Sequence, residues 1–217
     1  MIASLVENGS RIADIGTDHA YLPAYLILNG VCPFAVASDI GKGPLENAKD
    51  TIEKYEISDK VKTVLSDGLD NICLDEIDTV ILSGMGGDLI CNILSRADID
   101  KLREKRIIAQ PQSHCEKVRL FFMKNGFEIT KEGICFDGGH IYVCMGARFS
   151  CKTGYPKCYE YYGELIKNKS ELVNEYFCNM IKQMNIKCDA LKKTGEYENE
   201  VNELSAIIRT IGSLTGD

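Results

Sequence analysis

The stretch Arg11–Leu28, RIADIGTDHAYLPAYLIL, decides the fold. Its first residues form a short apolar run that reads as a buried strand, and its last nine, AYLPAYLIL, read as a helix. Between them stand Gly16, Thr17, Asp18 and His19. A core strand turning this abruptly into a core helix opens a strand–helix unit of an α/β sheet. Two acids, Asp14 and Asp18, crowd the turn beside His19. Desolvating carboxylates is costly unless something compensates them. A purely structural account of this turn is therefore strained.

The same alternation continues outward. FAVASDI (34–40) precedes the helical pattern GPLENAKDTIEKY (43–55), with Leu45, Ala48, Ile52 and Tyr55 at helical spacing. VKTVLSD (61–67) and DTVILSG (78–84) read as strands, DLICNILSRA (88–97) as a helix, RIIAQPQ (106–112) as a strand and residues 116–125 as a helix. The strands are continuous in hydrophobicity, as expected when helices cover both faces. After Gly126 the pattern changes. FEITKEGICFDGGHIYVCMGARF (127–149) holds two strand-like runs about Asp137-Gly138-Gly139, a hairpin signal. The expectation is a doubly wound, Rossmann-like parallel sheet ending in an antiparallel hairpin.

From about Tyr155 the chain is rich in Lys, Glu, Asn and Tyr and shows helical spacing at Leu165, Leu172, Tyr176, Met180 and Met184. A break near Thr194-Gly195 precedes a second helix carrying Val201, Leu204, Ile207, Ile208 and Ile211. Two antiparallel helices, a coiled-coil-like hairpin, fit this segment. It either packs on the sheet or dimerises, or it grips a large substrate. The division expected is a domain over residues 1–152 and a helical arm over 153–217.

Composition narrows the class. The 217 residues are 45% hydrophobic and 26% charged, with a formal charge of −7, which argues against attraction of the whole surface to nucleic acid and leaves room for a local basic face. Ten cysteines without any Cys-x-x-Cys pair point to free, buried or half-buried thiols in a reducing cytoplasm rather than to zinc. No metal is expected. The N-terminus shows no signal-peptide pattern, and no apolar run reaches the ~18 residues of a membrane span.

In a doubly wound sheet, ligands sit beyond the carboxyl ends of the strands. Here those ends read Asp14-Ile15-Gly16-Thr17-Asp18, Ser38-Asp39, Ser66-Asp67-Gly68, Ser83-Gly84-Met85-Gly86-Gly87 and Gln110-Pro111-Gln112. Polar groups or glycines at five tips in succession describe a pocket. The first loop is not the G-x-G-x-x-G of nicotinamide binders, and its carboxylates would repel a pyrophosphate. They suit a cationic ligand, S-adenosylmethionine. Asp39 stands where an acid on the second strand accepts both ribose hydroxyls, and Asp67 with Gly68 where an adenine edge is read. The cofactor set expected is Asp14, Gly16, Thr17, Asp18, His19, Asp39, Ile40, Asp67, Gly68 and Gly84. Asp18 also suits a helix N-cap, and His19 a wall of the loop.

IADIGTDHAYLP (12–23), SDGL (66–69), SGMGG (83–87) and AQPQ (109–112), followed by a helical arm, resemble the bacterial tRNA (adenine-22) N-1-methyltransferase family over nearly the whole chain. The resemblance implies a class I methyltransferase fold, S-adenosylmethionine as donor and tRNA as partner, with the methyl going to ring nitrogen 1 of a D-arm adenosine. This sequence departs from the family pattern in three places. Gln112 stands where an Asn usually follows the Gln-Pro. DGGHIYV (137–143) moves a hairpin tyrosine, Tyr142, by one residue and so to the other face. The chain also starts almost inside the first helix, where the family carries a basic leader.

Transfer to a ring nitrogen needs alignment and exclusion of water rather than a general base, and the base must be extruded from its stack. Met85, Gly86, Gln110 and Pro111 are the residues expected at the target: Met85 and Pro111 as walls, Gln110 on the base edge. Arg96, Lys101, Arg103, Lys105, Arg106, Lys117, Arg119 and Lys124 offer a footing for the polyanion, with Lys167, Lys169, Lys182 and Lys187 on the arm. Two rivals stay open, a methyltransferase of the same fold acting on a small molecule and a non-catalytic RNA-binding module. The protein is expected in the cytoplasm, as a monomer or weak dimer.

Overall fold

The computed structural model describes residues 1–194 and 197–215. Seven strands form one sheet in the order β3-β2-β1-β4-β5-β7-β6. They are β1 (Ile12–Ile15), β2 (Ala35–Asp39), β3 (Val61–Leu65), β4 (Thr79–Gly86), β5 (Arg106–Ser113), β6 (Phe127–Asp137) and β7 (His140–Phe149). β1 to β5 run parallel; β7 is antiparallel to both β5 and β6. The helices are α1 (Tyr21–Leu28), α2 (Lys42–Lys54), α3 (Gly87–Arg96), α4 (Ile99–Arg103), α5 (Cys115–Lys124), α6 (Tyr159–Tyr162), α7 (Glu171–Thr194) and α8 (Glu198–Thr215). This is a doubly wound sheet closed by an antiparallel hairpin, with a C-terminal helical part.

The chain builds outward from β1 in one direction through β2 and β3, then returns to place β4 on its other side. The crevice at the C-terminal ends of β1 and β4 is therefore the switch point where ligands bind. α1, α2 and the 3-10 turn Ile2–Leu5 cover one face through Leu26, Ala48, Ile52 and Leu5. α3, α4, α5, α7 and α8 cover the other through Ile90, Leu94, Phe122, Phe177 and Ile211.

Several expectations are corrected. β3 is an edge strand with one fully buried residue, Val61, because a strand at the margin of the sheet is only partly roofed. Tyr55 caps α2 from an exposed position rather than joining its buried face. Leu165 lies in the 3-10 turn Gly163–Lys167, not on the long helix. On α7 the buried positions among the described residues are Val173, Phe177 and Cys188, with Tyr176, Met180 and Met184 half-buried beside the first two. The short helices α4 and α6 carry too few turns to show a period. Of the expected break, Gly195 lies outside the described residues. Cys73, Cys151 and Cys178 are exposed rather than buried.

Arg119 of α5 and Glu132 of β6 root the arm. Both side chains are fully buried and bonded, Nε to Oε1, at 2.8 Å. Arg119 Nη1 donates to the carbonyls of Glu160 and Tyr161, and Glu132 Oε2 accepts from the Leu165 N–H. Above this anchor α7 and α8 run antiparallel, Lys187 pairing with Glu200 at 2.7 Å. No helix among the described residues is long and apolar enough to cross a membrane.

Candidate functional site

The first loop is folded back on the sheet before it offers anything to a ligand. The N–H groups of Gly16 and Thr17 both donate to the Ser38 carbonyl, and Thr17 Oγ1 donates to Asp14 Oδ2 at 2.7 Å. Asp14 and Thr17 are buried. They prop the loop from beneath. Burial pushes the Asp14 carboxyl up to about 6, the Thr17 hydroxyl opposing and Asp39 adding to the rise. Asp18 has a positive φ and no capping bond, and the N-cap position belongs to Ala20. Asp18 and His19 stand exposed on the turn 3.6 Å apart, His19 stacked on Tyr21 with ring centroids 5.1 Å apart.

Beside the loop a cleft of about 150 Å³ lies between β1, β2, the turn after β3, and α3. Five of the expected cofactor residues meet there: Gly16, Asp39, Ile40, Asp67 and Gly68. Asp39 ends β2 with Oδ1 accepting the Gly41 N–H at 2.9 Å, which fixes the carboxylate and leaves Oδ2 open. Ile40 is 71% exposed on the rim, an apolar side chain held out of the core. Gly68 has φ +59°, and a Cβ there would meet Ile93 Cγ2 at 2.7 Å. Both the backbone and the close approach require glycine. Asp14, Thr17, Asp18, His19 and Gly84 do not line the cleft.

Asp67 is otherwise engaged than expected. Arg96 clasps both its carboxylate oxygens, at 2.9 and 3.1 Å, and the Arg96 hydrogen bonds hold the carboxyl below its usual range. Sequence reasoning missed Leu89 and Ile93, which wall the cleft from α3. Their spacing of four after the glycine loop was the available signal.

The Gly84-Met85-Gly86 segment is a bulged end of β4 rather than a free loop. Met85 pairs with Pro111 across register shifts on either side, and Gly84 carries φ +74°. Gln110 locks the bulge, Oε1 accepting the Gly84 N–H at 3.0 Å while Nε2 donates to the Pro111 carbonyl at 3.3 Å. Its amide is therefore taken up internally. Pro111 is buried in the sheet. Met85 turns the other way, into the cleft beside the first loop, where a Cβ on Gly16 would overlap its terminal methyl. The expected clamp of Met85 against Pro111 is not assembled. Gly86 serves as the N-cap of α3, and a Cβ on Gly87 would strike the Ser113 and His114 carbonyls at 2.6 and 2.5 Å.

The basic cluster is largely neutralised. Arg96 pairs with Asp67 and Asp70, Lys101 with Asp75, Arg103 with Asp100, and Lys117 with Asp88. Lys105 lies 3.9 Å from Glu104. Arg106, nearly buried, pairs with Glu7, and Arg119 is the buried anchor. On the arm Lys167 pairs with Glu164 and Lys187 with Glu200. Lys124, Lys169 and Lys182 are exposed and make no ion pair among the described residues. Those residues also hold no cluster of three or more His, Cys, Asp or Glu suited to a metal ion.

Residues 1–145 match a family model described as a methyltransferase domain. The tRNA (adenine(22)-N(1))-methyltransferase of Bacillus subtilis (strain 168) is 39% identical over 147 residues, 67% of this chain and 61% of that protein. The match thus spans less than two thirds of that relative's length. The crystal structure of the B. subtilis M1A22 tRNA methyltransferase TrmK is similar with TM-score 0.88 at 27% identity, over 99% of this chain and 95% of that one. A structure of M. capricolum TrmK in complex with the natural cofactor product S-adenosyl-homocysteine gives TM-score 0.83 at 26% identity, over 99% and 95%.

Proposed function

Because this chain belongs to the methyltransferase-domain family, we propose that it transfers a methyl group from S-adenosylmethionine to ring nitrogen 1 of a tRNA adenosine, at position 22 of the D-arm. The observation that carries this reading is the cleft at the switch point, where Asp39, Ile40, Gly16, Gly68 and Met85 meet. The likeness to tRNA methyltransferases along the whole chain, arm included, supports the same substrate. We assign residues 1–152 to the catalytic domain and 153–217 to the arm. With tRNA as its partner the protein works in the cytoplasm.

The cleft fits the donor. Asp39 Oδ2 is free to accept ribose hydroxyls, a charge-assisted bond, while Ile40, Leu89 and Ile93 offer apolar walls to a purine. Gly68, having no Cβ, lets Ile93 close against the turn as part of that wall. S-adenosylmethionine, when bound, supplies a methyl on a positively charged sulfur, a good leaving group. Asp14, held beneath the loop by Thr17, places negative charge under a cationic ligand. The cleft lining holds no histidine, cysteine or lysine, and none is needed, since adenine N1 carries a free lone pair at neutral pH. The protein's work is alignment and exclusion of water.

One observation favours a small-molecule acceptor instead: the neutralised basic cluster. A single assay decides. The protein is incubated with methyl-labelled S-adenosylmethionine and tRNA lacking the modification, and the nucleosides are separated. The tRNA reading expects label in 1-methyladenosine; tRNA left without label in that nucleoside overturns it.

A further inference from the structure

A second cavity, of about 330 Å³, opens between the end of β5, the β6–β7 hairpin and the N-terminal turn, lined among others by Ile2, Gln110, Gln112, Cys135, Asp137 and Tyr142. Resting on the proposed transfer to adenine, we infer that this cavity receives the extruded target base and that Gln112 reads its Hoogsteen edge, the N6 amine and N7.

The placement follows from the bulge. Met85 faces the cofactor cleft, and two residues beyond its partner Pro111 the strand ends at Ser113. A Cβ on Gly84 would lie 3.9 Å from Gln112 Nε2, so the Gln112 amide lies over the bulge that separates cleft from cavity. A base in the cavity and a methyl donor in the cleft flank one bulge, and N1 would meet the methyl past the end of that bulge, where Gly84 and Gly86 carry no side chain to obstruct them.

The chemistry selects the edge. An enzyme that methylates N1 cannot hold N1 in a hydrogen bond, so recognition falls to N6 and N7. A glutamine amide matches that pair, Oε1 accepting from N6 and Nε2 donating to N7. Gln110 cannot serve, because its amide is taken up by Gly84 and Pro111. Gln112 is exposed, and its side chain makes no hydrogen bond among the described residues. Ile2, Cys135 and Tyr142 supply apolar surface for the ring, and the volume lies within the range of small-ligand sites. The displaced Tyr142 stands on the same side of the hairpin as Cys135, its cross-strand partner.

The test uses the full chain and tRNA carrying either adenosine or 7-deazaadenosine at the target position, with methyl transfer read as kcat/KM. The wild type is expected to lose roughly tenfold on 7-deazaadenosine. Gln112→Ala should lose about as much on adenosine, with no further loss on the analogue. Gln112→Glu, which opposes a carboxylate oxygen to N7, should prefer the analogue. Calorimetry with S-adenosyl-homocysteine should give all three the same affinity, which a merely structural role at the bulge would disturb. Equal sensitivity of wild type and Gln112→Ala to the analogue overturns the inference while the tRNA activity stands. No transfer to unmodified tRNA by the wild type overturns the proposed function and the inference with it.

Discussion

Asp14 and Asp39 share one rim of the sheet and answer to different physics. Asp14 is buried and its carboxyl raised to about 6, above the ~3.9 of an unfolded aspartate. The folded state thus binds more protons than the unfolded state between those values, and stability falls as pH rises through that window. Asp14→Asn keeps an acceptor for Thr17 and removes the titration. Urea unfolding at pH 4.5 and pH 7 should show the wild type losing about 2 kcal/mol more than the variant over that interval. Asp39 is half-exposed and keeps Oδ2 open. Asp39→Ala should weaken S-adenosylmethionine binding by about 2 kcal/mol with thermal stability nearly unchanged. Asp67→Asn should change that affinity less than about threefold, because Arg96 already occupies the carboxylate. Calorimetry on the pair separates the roles; equal losses would mean that Asp67 reaches the ligand after all.

Among elements, the anchor between α5, β6 and the arm carries the largest energetic consequence. Arg119 and Glu132 are both excluded from water, so removing one partner leaves a bare buried charge. Arg119→Met should cost about 3–5 kcal/mol of unfolding free energy. The double variant Arg119→Met, Glu132→Leu should recover much of that loss, since a well-packed apolar pair often matches a buried ion pair. Denaturant titration of both variants checks this. A double variant as unstable as the single would mean that the backbone bonds to Glu160, Tyr161 and Leu165, not the uncompensated charge, set the cost. The bulge at Gly84 works on a shorter range. It lets β4 and β5 run on past the sheet core, turning Met85 toward the cofactor side and leaving Gln112 toward the other.

At the scale of the molecule, the charge pattern sets how it can meet a polyanion. A chain of formal charge −7 whose basic cluster is mostly paired cannot rely on bulk attraction. Within that cluster and its counterparts on the arm, Lys124, Lys169 and Lys182 are exposed without ion pairs among the described residues. Binding to tRNA should therefore weaken only moderately with salt, with a log–log slope on the order of −3, each phosphate contact adding nearly one. Lys169→Glu with Lys182→Glu should lower tRNA affinity several-fold and leave S-adenosylmethionine binding unchanged. A slope as steep as eight contacts require would mean that the ion pairs open when RNA docks.

Local pattern alone determined the strand–turn–helix repeat, the hairpin at Gly138-Gly139 and the row of acids and glycines at the strand ends, because hydrophobic period and turn chemistry act over a few residues. It also placed Gly16, Asp39, Ile40, Asp67 and Gly68 at one rim. Only tertiary structure decided which polar groups remain open to a ligand. Arg96 closes on Asp67 across 29 residues, Gly84 takes up Gln110 across 26, and Arg119 meets Glu132 across 13. Those pairings depend on the distance between side chains in space, which no spacing along the chain encodes, so five residues of the candidate cleft could be read from the sequence but the free valences there could not.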